Sequence, residues 1–475
     1  MNVKGTKKKN QVATANIFEQ QELLKKAEVI KKNLTASTWR ELETNGKFDK
    51  NEKLSFISDD MLILGCDVGS ETHYLRAIDT RGRELSKSAF PFSNDSAGFQ
   101  SAKEWAVRIA AEHEKKQIVL GLEPTGHYWF CLATWMIFNG ISVVQVNPYA
   151  VKQTKEVEDN SQLKDDTKDP KLIANLVKDG NFGMPYLPEK LYAELRRLSM
   201  FRDQLNEDRI RAINRMHREM KIYFPEYKDA LGKVDGAFSL ELLKSAPFPA
   251  DLKALDENGI RQIWHEAKLR GRGYSRSGEI LGYARSSVGI RDGADAAKIA
   301  VQWFVKKIME LDEELAVIEN LINHKCKEIP HTGNILEISG IGENTLSGIL
   351  AEMGDISRFD DVKEIQKLSG LGLVACSSGK HKGETKISHR GRKRLRYWLF
   401  QAAKSAVAHA DEFKELHIYY TTRTKNPLKK MQPLIVIACK LLRIIYTIMK
   451  KGTAYDPKKM LTDIKRQEKQ EALAA

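Results

Sequence analysis

The rhythm of apolar and polar positions changes abruptly at Met61. Before it, residues 1–58 are polar and Lys-rich with little apolar periodicity, and read as a basic, mobile extension with one helix predicted over Phe18 to Leu34. After it, the apolar run Met61 to Cys66 predicts a strand closed by Asp67, and Thr72 to Ile78 a second strand. The turn Thr80-Arg81-Gly82 then leads into a third strand through Phe92, completing an antiparallel meander. Ser96 to Glu114 has helical spacing, with Phe99, Trp105, Val107, Ile109 and Ala110 as core positions. Gln117 to Leu122 predicts a strand closed by Glu123, a helix from His127 to Phe138 stops at Asn139-Gly140, and Ile141 to Val146 predicts a fifth strand. After a loop, a helix carrying Asp166 and Asp169 is predicted to run to Lys178 and to end at Asp179-Gly180.

Three strands, helix, strand, helix, strand, helix is the order of an α/β ribonuclease H-like (RuvC-like) domain, assigned here to residues 59–185. Residues 186–329 read as a helical linker. Two long helices, Glu189 to Tyr223 and Ala297 to Lys325, are predicted to form an antiparallel coiled-coil arm, within the chain or between subunits. The second has apolar residues at Phe304, Ile308, Leu311, Leu315, Ile318 and Ile322, a heptad seam. The insert at about 225–295 mixes short helical patterns with the basic, Gly-containing LRGRGYSRSG and carries no legible role. Residues 330–457 read as a mainly α C-terminal domain, and 458–475 as a polar tail. Within that domain ILEISGIGENTLSGILAEMGDI resembles a helix-hairpin-helix, whose Gly340-Ile341-Gly342 turn can offer backbone N–H groups to a phosphate. A Gly-rich turn between two packing helices fits the same residues.

Composition points to a polyanionic partner. Across 475 residues, 77 Lys and Arg outnumber 63 Asp and Glu, a net charge of +14. The 5 cysteines are scattered singly, with neither zinc nor disulfide spacing, and read as reduced thiols of a cytoplasmic protein. The basic N-terminus has no apolar segment after it, so no secretory signal is read. Pro433 to Met449 is interrupted by Lys440 and Arg443 and falls short of the ~20 residues of a spanning helix, so it reads as a buried helix and no membrane partner is expected.

Candidate chemistry lies in two places. Asp67 and Glu123 close two apolar strands in GCDVGSETH and GLEPTGHYW, and adjacent strand ends would set them side by side. Asp166 and Asp169, in KDDTKDPKLIANL, share a face if a helix begins there. Carboxylates packed this closely need a hard cation to offset their repulsion, which points to a divalent-metal site for phosphodiester chemistry. The second place is the tract after Ser377-Ser378-Gly379. Lys380, Lys382, Lys386, Arg390, Arg392, Lys393, Arg394 and Arg396 are opposed only by Glu384, a surface dense enough to grip phosphates. A serine in a Gly turn beside cations is a candidate nucleophile. No histidine is placed by the sequence as its base, although His381 and His389 are near.

These residues resemble the DEDD transposases of bacterial insertion sequences, which join a RuvC-like domain to a serine-bearing C-terminal domain, a family that includes bridge-RNA-guided recombinases. The match runs from Met61 to about Pro457. The family's Asp, Glu and D-x-x-D correspond to Asp67, Glu123, Asp166 and Asp169, and its serine-glycine to Ser378-Gly379, with Asp165 and Ser377 as neighbouring alternatives. The resemblance implies excision and insertion of a mobile element by cleavage and rejoining of DNA, with Mg²⁺ (a pair of ions, or Mn²⁺) on the carboxylates and a covalent phosphoserine on the other side of the reaction. It also implies element-end and target DNA as partners, a structured guide RNA in some relatives, and action in the bacterial cytoplasm. A composite site further predicts a homodimer or homotetramer with the serine supplied across subunits. Two readings compete: a metal-dependent junction resolvase or nuclease, which needs the carboxylates but not Ser378, and an inactive nucleic-acid-binding descendant, against which the intact set of four acids argues. A DEDD exonuclease would open with D-x-E, whereas this chain has Asp67-Val68-Gly69.

Overall fold

The structure, a computed structural model, describes residues 50–124, 126–158, 169–269, 271–374, 377–378, 381–382, 386–424, 426–429 and 431–461. The helix expected over Phe18 to Leu34 and the carboxylate Asp166 lie outside the described residues. The chain divides into two compact units, residues 1–188 with 355–391 and residues 189–354 with 392–475.

In the first unit, helix α1 (Lys50–Phe56) leads into a 6-stranded sheet of β1 (Met61–Asp67), β2 (Thr72–Ile78), β3 (Phe90–Ser93), β4 (Gln117–Leu122), β5 (Ser142–Val146) and β6 (Phe182–Gly183). The order is β3-β2-β1-β4-β5-β6. The pairs among β1, β2 and β3 are antiparallel, β1-β4-β5 are parallel, and β6 returns antiparallel at the edge. Strand β1 is buried on both faces, which is why its sequence is a continuous apolar run rather than an alternation. Leu62, Leu64, Cys66, Leu120 and Leu122 face α2 (Ser96–Glu112) and α3 (Trp129–Phe138), packing on Phe99, Ile109 and Leu132. Met61, Ile63, Val119 and Val144 face the other way, onto Val151 of α4 (Pro148–Glu158) and Ile173 and Val177 of α5 (Asp169–Lys178). This mixed three-layer arrangement is consistent with the ribonuclease H-like fold expected from the element order.

Besides α1, which forms at the end of the segment read as a mobile extension and sets Phe56 against Phe182, two elements of the sheet domain escaped the sequence reading. The loop expected after β5 is largely helix α4, started by Pro148 at its first position and by the Asn147 side chain, which accepts from the Tyr149 N–H at 2.9 Å. Strand β6 has 2 residues, too few for a periodic signal. The rest of this unit, residues 355–391, holds a short helix, Val362–Leu368, and two 2-stranded pairings: β7 (Leu373–Val374) with β10 (Lys386–Ile387), and β8 (Ser377–Ser378) with β9 (His381–Lys382). It is tied to the sheet domain at both ends. The Arg358 guanidinium lies 3.3 Å from the centre of the Tyr186 ring, and that of Arg390 5.0 Å from the Tyr149 ring of α4.

The second unit is helical. Helices α6 (Lys190–Tyr223) and α11 (Ala294–Lys327), each of 34 residues, pack along one another. They run antiparallel, because Arg209 pairs with Asp312 while Glu194 pairs with Lys325. Of the heptad positions expected on α11, Ile308, Leu311, Leu315 and Ile322 are buried, and Phe304 and Ile318 are partly buried. The insert folds as α7 (Tyr227–Leu231), α8 (Ala237–Ser245), α9 (Pro249–Glu266) and α10 (Ser277–Ser286) around Trp264, Tyr227 and Phe248. After α11 come α12 (Thr332–Leu336), α13 (Glu343–Met353), α14 (Lys393–His409), α15 (Asp411–Thr422) and α16 (Gln432–Lys451). Among the described residues α16 alone is long and apolar enough to cross a membrane. It buries Ile437, Leu441, Leu442 and Ile445 in this unit and packs on α14.

Candidate active site

The parallel register of β1 and β4 pairs Cys66 with Leu122, so Asp67 and Glu123 are the next residues on neighbouring strands. Side chains alternate along a strand. Met61, Ile63 and then Gly65 lie on the α5 side of β1, as Val119 and Gly121 do on β4, which sends Asp67, the last residue of β1, to that same side, while Glu123 directly follows β4. The two glycines let α5 come down onto the sheet. A Cβ at Gly65 would stand 1.8 Å from the Pro170 carbonyl oxygen and 2.6 Å from the Ala174 nitrogen, and one at Gly121 would stand 2.3 Å from Val177 Cγ2. The first turn of α5 therefore lies directly on β1, two residues short of Asp67, and Asp169 opens that turn. Asp67, Glu123 and Asp169 thus lie at the same end of the sheet, all half-buried.

Asp169 sits at a helix N-terminus, where the dipole favours its charge. Lys155 of α4 donates to its Oδ1 at 2.6 Å, each side chain about three-quarters shielded (29% and 27% exposed). No pattern in the sequence marks Lys155, which lies fourteen residues away in what reads as a loop. Among the described residues no three of His, Cys, Asp and Glu are close enough to hold an ion. The side chains at this end of the sheet offer carboxylate oxygens, a donor type that suits Mg²⁺ or Mn²⁺ rather than a softer metal.

Ser378 lies in β8, and the antiparallel register pairs it with His381 of β9 and Ser377 with Lys382. The basic tract divides between the two units. In the first, Lys386 and Arg390 are exposed, Arg390 over Tyr149, while Lys380 lies outside the described residues. In the second, Lys393 is exposed and Arg396 half-buried. Arg392 donates to the Glu352 carbonyl, and Arg394 pairs with Asp203 of α6 and sits 3.7 Å from the buried Glu352 carboxylate. These two guanidiniums hold α14 against α13 and α6. Burial, with Arg202 and Arg196 close by, pulls the Arg394 pKa below its ordinary value. Beside them Arg202, buried in α6, stacks 4.8 Å from the ring centre of Trp398, a residue whose indole fills the space left by Gly348.

At the Gly340-Ile341-Gly342 turn, Gly340 has φ +89° and a Cβ there would lie 2.6 Å from the Ser405 carbonyl oxygen of α14. Conformation and close packing both require glycine at this position. Gly342 is the N-cap of α13, whose first turn carries Glu343, paired with Lys327 at 3.0 Å.

Comparison with known proteins agrees with this architecture. The transposase family model DEDD_Tnp_IS110 matches residues 64–225, and that of the IS116/IS110/IS902 transposase family matches residues 333–418. In chain order they cover more than half of the sequence, and the chain belongs to this family of insertion-element transposases. The insertion element IS116 uncharacterized 44.8 kDa protein of Streptomyces clavuligerus is 22% identical over 401 residues, 84% of this chain and 97% of that one. The IS110 uncharacterized 43.6 kDa protein of Streptomyces coelicolor is 21% identical over 83% of this chain and 95% of its own length. The pilin gene-inverting protein of Moraxella bovis is 31% identical over 153 residues, 31% of this chain and 45% of that protein.

Proposed function

We propose that the protein is a DNA recombinase that excises and inserts its insertion element through a covalent phosphoserine. The observation that carries this reading is that Asp67, Glu123 and Asp169 lie at the same end of β1 and β4, in the same compact unit as the strand bearing Ser378. Asp67, Glu123 and Asp169, with Asp166, would hold Mg²⁺, which when bound supplies charge neutralisation and polarisation at the scissile phosphate. Ser378 Oγ attacks phosphorus as its proton leaves, the phosphorus–oxygen bond to the departing strand breaks, and the departing oxygen takes up a proton to become a hydroxyl end. Rejoining reverses the step: a hydroxyl end of another strand attacks the phosphoserine and Ser378 recovers its proton. No water is consumed, so the phosphodiester bond is conserved, which simple hydrolysis would not achieve.

Lys386, Arg390, Lys393 and Arg396 contact backbone phosphates, as does the helix-hairpin-helix turn at Gly340 and Gly342, while the overall +14 charge accommodates a guide RNA beside the element-end and target DNA. The serine is supplied across subunits of a dimer or tetramer acting in the bacterial cytoplasm. The test is a Mg²⁺-dependent reaction with labelled element-end DNA and co-expressed flanking RNA, run on a denaturing protein gel. A labelled band that migrates with the protein, and is lost in Ser378→Ala and on chelation of Mg²⁺, is the expected result. Free cleaved DNA, unchanged by Ser378→Ala, would make the protein a hydrolytic nuclease. No cleavage at all, with DNA binding retained, would make it an inactive descendant.

A further inference from the structure

Lys155 meets Asp169 where two helices pack. Val151 of α4 is buried in the same core as Ile173 of α5. Lys155 lies four residues after Val151, and Asp169 four residues before Ile173, so each occupies the next turn on the packed face of its helix. The two helices pack on one another, and the ion pair is the polar rung that ends this contact. Its charges also suit the helix ends that carry them. Lys155 lies in the last turn of α4, where a cation is favoured, and Asp169 in the first turn of α5, where an anion is. The lysines of α5 itself turn elsewhere, Lys171 to Glu84 and Lys178 to Asp179. Among the described residues the Lys155 ammonium makes no hydrogen bond or ion pair besides the one to Asp169 Oδ1 at 2.6 Å. Anchored at a single point on a flexible stem, with 29% of its side chain exposed, it can leave without breaking any other contact of its charge.

We propose that Lys155 is a positioning residue of the metal site, an internal counter-cation that holds Asp169 until a divalent ion binds and then yields the carboxylate to it. It thereby sets the ion concentration at which strand cleavage begins. Asp67, Glu123 and Asp169 at one end of the sheet repel one another, and the ammonium relieves part of that repulsion before any ion is bound. The same ammonium opposes the ion in two ways. It occupies Asp169 Oδ1, and it sets a positive charge beside the place a second one must take. A fixed orienting partner would act in the opposite sense, since removing a group that holds a metal ligand in place weakens metal binding. The single anchor and the flexible stem favour exchange over orientation. The inference rests on the carboxylates being a metal site, as in the recombination reading, and adds a residue outside their set.

Mn²⁺ binding to the full-length protein, followed without DNA by the loss of the free ion's paramagnetic resonance signal, reads this directly. The wild-type protein takes up Mn²⁺, and Asp67→Ala lowers that uptake. Lys155→Met and Lys155→Gln, with the helical circular dichroism unchanged, bind the ion about tenfold tighter, the scale of one charge-assisted hydrogen bond that no longer has to be given up. Lys155→Arg, which keeps the charge, binds no tighter than the wild type. In strand cleavage Lys155→Met reaches half its maximal rate at a correspondingly lower Mg²⁺ concentration. Equal Mn²⁺ affinity in the wild type and both neutral variants would overturn the proposal and leave the metal reading standing. Weaker binding by the neutral variants would overturn it too, and make Lys155 an orienting group. Uptake indifferent to Asp67→Ala, or no uptake by any form, would remove these carboxylates from metal binding, and the metal of the recombination reading with them.

Discussion

His73, the second residue of β2, has no exposed surface, its ring 5.1 Å from the centre of Phe92 and 6.1 Å from that of Phe99. Burial opposes the imidazolium and pulls the pKa below its ordinary value of about 6.5. The unfolded chain therefore takes up a proton at a higher pH than the folded one. Stability from this group is complete above about pH 6.5 and is lost as the pH falls toward the depressed folded value, with a slope of at most about 1.4 kcal/mol per pH unit. We expect urea unfolding between pH 8 and pH 5 to show this decline in the wild-type protein. His73→Phe, which keeps the aromatic packing and removes the proton, should flatten it. An unchanged slope in the variant would place the acid sensitivity elsewhere.

At the scale of elements, the candidate site depends on how closely α5 approaches the sheet, and two glycines control that approach. Gly65→Ala puts a methyl group into the Pro170 carbonyl and the Ala174 nitrogen, both backbone atoms that cannot swing aside. We expect a loss of stability of about 1–3 kcal/mol, the usual cost of overpacking, and a larger loss of metal-dependent strand cleavage, because α5 must lift and carry Asp169 away from Asp67. Denaturant unfolding and a cleavage assay on the folded fraction would separate the two effects, and full cleavage by a folded variant would remove α5 from the site. Strands β1 to β5, helices α2, α3 and α5 and the neighbouring positions of Asp67 and Glu123 were legible in the sequence because long apolar runs and helical spacing betray them. The glycines were not, since their role is set by a helix more than a hundred residues from Gly65 in the chain. Lys155 stayed hidden because α4 is short and polar. The roles of Arg392 and Arg394 stayed hidden because a tract of like charge does not reveal which members find carboxylates such as Asp203 and Glu352.

At the scale of the molecule, the sequence crosses between the two units more than once: residues 355–391 return to the sheet unit, and residues 392–475 complete the helical one. The serine strand therefore belongs to the carboxylate unit, although more than two hundred residues separate Ser378 from Asp169. The ties of this segment to the sheet unit at Tyr186 and Tyr149 lie outside the hairpin that carries Ser378. Whether that serine serves the carboxylates of its own chain or those of a partner is a question of stoichiometry that mixing resolves. Asp67→Ala and Ser378→Ala are each expected to be inactive in recombination. If the serine is supplied across subunits, a mixed oligomer contains sites built from one chain's intact carboxylates and the other chain's intact serine, so activity returns on mixing and peaks near equal proportions. No recovery at any ratio, from chains shown to exchange, would place both halves of the chemistry in a single chain.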